Sequence, residues 1–124
     1  MNVDLLIKDL CARVPYGVNV VCKHSDGSMI NIWEVLYING RTHDVYLMNA
    51  HDKSCKYENI NDIKPLLFPL SSMTTNQRNR YNFLARSANA SHTGLMDFYN
   101  KHHLDYRGFI KKDSAIDATG MDIY

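Results

Sequence analysis

The chain has little of what usually betrays chemistry. Its three cysteines, Cys11, Cys22 and Cys55, are odd in number and widely spaced, with no C-x-x-C pair. That excludes a disulfide framework or a zinc ribbon and predicts reduced, mostly buried thiols acting as small hydrophobes. The six glycines, Gly17, Gly27, Gly40, Gly94, Gly108 and Gly120, lie far apart. Phosphate-cradling loops need them clustered ahead of a helix, so neither G-x-G-x-x-G nor a P-loop is present. Glutamate occurs twice, at Glu34 and Glu58, and the aspartates are scattered, so no carboxylate pair for acid–base work stands out. There is no Gly-x-Ser-x-Gly elbow and no cysteine-protease signature. Cys22 and His24 alternate onto one face of an expected strand, yet that pair alone reads as a structural cysteine. These absences predict a protein that is not an enzyme.

Charge of one sign is also missing. Fourteen basic and 13 acidic residues give a net charge of +1, whereas strong sequence-independent nucleic-acid binding shows as a marked basic excess. Residues 71–124 are slightly basic and residues 1–70 slightly acidic. No apolar run approaches the ~20 residues of a membrane span. Met1-Asn2-Val3-Asp4 lacks a basic leader region, which predicts a cytoplasmic protein with no membrane partner. What remains is the composition of an ordinary globular domain, 45% hydrophobic and 22% charged over 124 residues. It predicts one domain, 1–124, able to bury a core without metals or disulfides.

The pattern along the chain predicts an α+β fold. Leu6, Leu10 and Val14 recur at helical spacing over residues 2–13, with Lys8, Asp9 and Arg13 expected outward, until Pro15-Tyr16-Gly17 stops the helix. Val18–Cys22, Met29–Ile38, Val45–Met48 and a stretch around Cys55-Lys56-Tyr57 read as strands. Asn39-Gly40 is the dipeptide of a type I′ hairpin. Residues ~15–60 are therefore expected to form a small antiparallel sheet or an SH3-like barrel. Two prolines four apart, Pro65 and Pro69, predict an extended apolar strap over the sheet, with no central strand running through it. Ile63, Leu66 and Leu67 are its expected core residues. Residues 74–124 read as helical. Thr74 with Gln77 forms a capping box for a helix buried along Tyr81, Leu84, Ala85 and Ala88, and a second helix is expected over Thr93–His103.

Six histidines, His24, His43, His51, His92, His102 and His103, raise the question of metal. None has H-x-x-x-H spacing, and adjacent His102 and His103 diverge by about 100° on a helix. They are expected to be solvated turn and helix-end residues, with no metal and no cofactor. Two sets are candidates for binding. One is the basic group Arg78, Arg80, Arg86 and Lys101, which suits phosphates or an acidic partner and equally a solvated helix face. The other is the strand aromatics Trp33, Tyr37 and Tyr46, joined by Tyr57, which on a small sheet can stack bases or fill a partner's pocket. Strict alternation puts Trp33, Val35 and Tyr37 on one face and Ile32 and Leu36 on the other.

The run Asp62-Ile63-Lys64-Pro65-Leu66-Leu67-Phe68-Pro69-Leu70-Ser71-Ser72-Met73-Thr74, with Asp105-Tyr106-Arg107-Gly108-Phe109-Ile110 and Ala115-Ile116-Asp117-Ala118, resembles a group of small proteins encoded by phages and mobile elements of gut anaerobic bacteria. The resemblance spans most of the chain. It implies a genetic setting and no activity. The chain departs from the group at Phe68, where Arg is usual, at Thr75-Asn76-Gln77, where an acidic helix start is usual, and at Lys111 and Asp113, where Glu and Gly are usual. With the absence of catalytic motifs, this setting suggests a non-catalytic accessory protein. Its expected partner is a host macromolecule, foremost a host protein, for instance one of defence or regulation that it inhibits. The alternatives are a nucleic-acid-binding module and a protein that sequesters a small nucleotide.

Overall fold

The structure is a computed structural model that describes residues 3–23, 32–86, 92–121, 123 and 124. Helix α1 (Val3–Arg13) buries Leu6 and Leu10, four apart and so on one helical face. A 3-10 turn over Val14–Tyr16 follows, and Gly17 closes it at φ +76°, a left-handed conformation that costs glycine little. Strands β1 (Asn19–Cys22), β2 (Ile32–Asn39), β3 (Asp44–Asn49) and β4 (Cys55–Asn59) form an antiparallel meander. A 3-10 turn over Ile60–Asp62 leads into β5 (Ile63–Leu67), and β6 (Ile116–Asp117) closes the order β4-β3-β2-β1-β5-β6. Helices α2 (Thr75–Arg86) and α3 (His92–Lys101) lie between β5 and β6 in the chain. The fold is α+β with an open six-stranded sheet, antiparallel except at β5–β6. The sheet curls: Cys22 Sγ on β1 comes within 4.0 Å of Glu58 on β4, although two strands separate them in the order. Among the described residues the outer strands do not pair with each other, so no closed barrel forms.

The expected strap is instead the strand β5, inside the sheet. The bond from Lys23 N–H to the Asp62 carbonyl fixes the β1–β5 phase. Alternation then makes Val20/Pro65 a non-bonded pair, with the proline nitrogen turned away from β1. The neighbour on that side, β6, begins opposite Leu66, so the missing donor costs no rung. Ile63 and Leu67 face the main core and Leu66 the opposite face, all fully buried. The expected type I′ hairpin is also replaced. Asn39 pairs with Asp44, leaving a four-residue loop in which Asn39 Oδ1 accepts from Arg41 and Thr42 N–H, and His43 takes the positive φ. The side chain of Asn39, more than Gly40, shapes the turn.

The main core joins α1 to one sheet face through Leu6, Leu10, Val20, Val35, Leu47, Ile63 and Leu67, with Phe109 and Ala115 of the tail. Asp9 and Arg13, expected outward, are fully buried. Arg13 Nε donates to Asp9 at 2.9 Å and its Nη2 to the Leu104 carbonyl at 2.7 Å, while Arg107 Nε reaches Asp9 at 3.0 Å. The capping box forms as expected: Gln77 N–H donates to Thr74 Oγ1 and Thr74 N–H to Gln77 Oε1. Tyr81 and Leu84 of α2 are half-buried but Ala85 is exposed, and Ala88 lies outside the described residues. Residues 104–121, 123 and 124 are not helical, contrary to the expected helical second half. His103, at φ +55°, ends the α3 segment, and the tail then bridges Phe68 to Leu104 and supplies β6.

Truncating a packed leucine leaves a cavity, so Leu67→Ala should destabilise by about 2–5 kcal/mol; a melting temperature equal to that of the parent would contradict this burial. Asp9→Ala strands two guanidinium groups, one of them inside the core, and should cost about 3–5 kcal/mol in denaturant titrations.

Candidate binding surface

Tyrosines dominate the open end of the sheet. In register, Tyr37 on β2 faces Tyr46 on β3, which faces Tyr57 on β4. Ring centroids lie 5.1 Å apart for Tyr37–Tyr46 and 4.7 Å for Tyr46–Tyr57, and the Tyr37 and Tyr57 hydroxyls are hydrogen-bonded to each other. Tyr37 is 47% exposed and Tyr57 58%. A β-bulge between Val35 and Tyr37 creates this row. The extra residue reverses the alternation, so Val35 and Trp33 pack toward the core while Tyr37 emerges with the other two tyrosines. The expectation that Trp33, Val35 and Tyr37 share a face fails for that reason. Hydrogen bonding to Tyr57 pushes the Tyr37 phenol up to about 12. The Cys55 thiol, also by hydrogen bonding, raises that of Tyr46. At neutral pH Tyr37 and Tyr46 therefore present neutral hydroxyls.

The other candidates fall elsewhere. Trp33 is half-buried under Lys56, whose Nζ sits 4.4 Å from the ring centroid. Arg80 stacks on Phe83, which is 61% exposed, and shares with Lys101, Tyr16, Asp97 and His102 a groove of about 290 Å³ beside α2 and α3. Arg78 reaches the Leu70 carbonyl at 3.4 Å, and Arg86 is exposed at the end of α2. The structure thus joins Tyr37 with Tyr46 and Arg80 with Lys101, and leaves Trp33 with the core. Tyr57, which joined these aromatics in the sequence, completes the tyrosine row opposite Tyr46.

No family model, curated protein or solved structure matches this chain. Among the described residues no three His, Cys, Asp or Glu side chains converge as a metal ion would require, and no helix is long and apolar enough to cross a membrane.

A second concavity, about 360 Å³, was not expected. Asn19, Glu34, Met48, Lys53, His103 and Tyr124 are among its walls. His103 is buried, contrary to its expected solvated place, and its ring stacks on Tyr124 with centroids 3.6 Å apart. The Tyr124 hydroxyl donates to the Leu66 carbonyl at 2.7 Å and accepts from Asn19 N–H at 2.9 Å. Burial, with Arg13 and His102 adding their charges, pushes the His103 imidazole down to about 4. The Nδ1 atom has no partner and no contact with solvent. A proton arriving there is unfavourable, whereas the unfolded chain takes one up near the ordinary histidine value. Stability should be full above about pH 6.5 and fall as the pH drops toward about 4. The slope approaches 1.4 kcal/mol per pH unit. Melting curves of the parent and His103→Asn across that window check it: the variant should lose this slope.

Proposed function

We propose that the chain is a non-catalytic accessory protein of the phage type that works in the cytoplasm by docking on a host protein, as an inhibitor of a defence or regulatory factor would. The observation that carries this reading is the row Tyr37, Tyr46 and Tyr57 on three adjacent strands, with Tyr37 and Tyr57 exposed and Tyr46 half-buried between them. Tyrosine offers a large rigid contact area at small entropic cost, with a hydroxyl that hydrogen-bonds at the rim, and it is enriched at interface hot spots. The curl of the sheet and the 3-10 turn that returns the chain from β4 to β5 beside β1 support the SH3-like arrangement as the finer description of this scaffold. For nucleic acid the same rings would need a cationic track. The exposed arginines Arg80 and Arg86 and the groove at Lys101 instead belong to α2 and α3, outside the three tyrosine strands.

The test is affinity capture from host lysate, with and without nuclease, using the parent chain and a Tyr37→Ala/Tyr46→Ala/Tyr57→Ala variant. The expected result is one protein captured in stoichiometric amount, insensitive to nuclease and to moderate salt, and reduced at least tenfold by the triple variant. Capture that vanishes with nuclease, or that falls steeply with salt, would replace this reading with a nucleic-acid one.

A further inference from the structure

The edge of β4 carries backbone groups that no strand among the described residues takes up. Antiparallel ladders bond every second residue pair. The β3–β4 ladder is bonded at both ends, Asn49 N–H to the Ser54 carbonyl and Ile60 N–H to the His43 carbonyl. The bonded residues of β4 are therefore Ser54, Lys56, Glu58 and Ile60. Cys55, Tyr57 and Asn59 turn their N–H and C=O groups the other way, and among the described residues β4 has no neighbour there. An edge of five residues with no proline is a template for another strand.

Which strand it takes is written in the side chains. About a two-fold axis at Tyr57, an antiparallel copy sets Cys55 opposite Asn59, Lys56 opposite Glu58, Tyr57 opposite Tyr57, and the rest by symmetry. The residues whose backbone groups point outward become the bonded pairs, giving six hydrogen bonds. The ammonium and carboxylate meet in the two non-bonded pairs, where side chains approach most closely. A shift by one residue would misalign the donors, and a shift by two would set like charges or uncharged residues against Lys56 and Glu58. Within one chain Lys56 Nζ already pairs with Glu58 at 3.3 Å, the two side chains being 39% and 24% exposed, and in the dimer this pair is exchanged across the seam. The tyrosine rows of the two copies would run on as one six-ring stripe.

We propose that the chain forms a symmetric dimer through β4–β4 pairing centred on Tyr57, joining two sheets into one of twelve strands. The sheet edge carries this proposal and the sheet face carries the docking reading, so either can fail alone. The test uses purified chain without any host partner. Light scattering or sedimentation over a concentration series should approach twice the 14.3 kDa of one chain. Lys56→Glu sets carboxylates against each other at both pairs and should weaken dimerisation at least tenfold with the circular dichroism spectrum unchanged. The exchange Lys56→Glu/Glu58→Lys restores complementarity and should restore the dimer. In a Cys11→Ser background, Asn59→Cys places a thiol opposite Cys55 of the second copy, at a Cα separation of about 5.5 Å that suits a disulfide. Mild oxidation should then give a covalent dimer at a rate at least ten times that of the background chain. A chain that stays monomeric into the millimolar range, or a dimer indifferent to Lys56→Glu, would overturn the proposal.

Discussion

Arg13 is the point at which the first helix and the tail that follows α3 are held together. Its guanidinium pairs with Asp9 one helical turn away and donates to the Leu104 carbonyl, ninety-one residues on. Asp9 in turn receives Arg107. A buried charge is tolerated only when it is paired and hydrogen-bonded, so the network imposes a condition on its surroundings. The first helix and the tail must both be in place before either is well placed. The main core, which packs Leu6 and Leu10 against Phe109 and Ala115, is arranged around that condition.

The segments from Asp62 to Thr74, Asp105 to Ile110 and Ala115 to Ala118 are parts of the same scaffold. Asp105 accepts N–H bonds from Phe109 and Ile110 with its two oxygens. Tyr106 stacks on Tyr99 and lies under the guanidinium groups of Arg13 and Arg107, and Gly108 takes a positive φ. Ile63, Leu66 and Leu67 fill two faces of the sheet. Phe68 packs edge-on against Tyr124. Chains sharing these segments would share the way the tail is tied to the body; the tyrosine row lies outside them.

Local rules read well where local forces decide. The first helix, the capping box at Thr74 and the strands of the meander follow from periodicity and turn chemistry, and the structure has them. Local rules failed where a distant partner decides. Asp9 and Arg13 look like solvent-facing charges until Leu104 and Arg107 arrive, and His103 looks like a frayed helix end until Tyr124 covers it. Pro65 argues against a central strand until the hydrogen-bond phase shows its nitrogen facing the side where pairing has not begun. The bulge before Tyr37 leaves no compositional trace, yet it decides which aromatic residues form a surface. Half of the candidate site was thus visible as a list of residue types, and its grouping was not.

The seam between β1 and β5 has an unusual last rung. Backbone pairing stops at Val20 and Pro65, and beyond it the Tyr124 hydroxyl stands between Asn19 N–H and the Leu66 carbonyl. A peptide ladder is indifferent to sequence, because every residue carries the same donor and acceptor. At this one step the sheet has exchanged that indifference for a side chain reaching in from 105 positions away. Mutation can tune the tightness of the seam there, and a modified phenol would be felt by both β1 and β5.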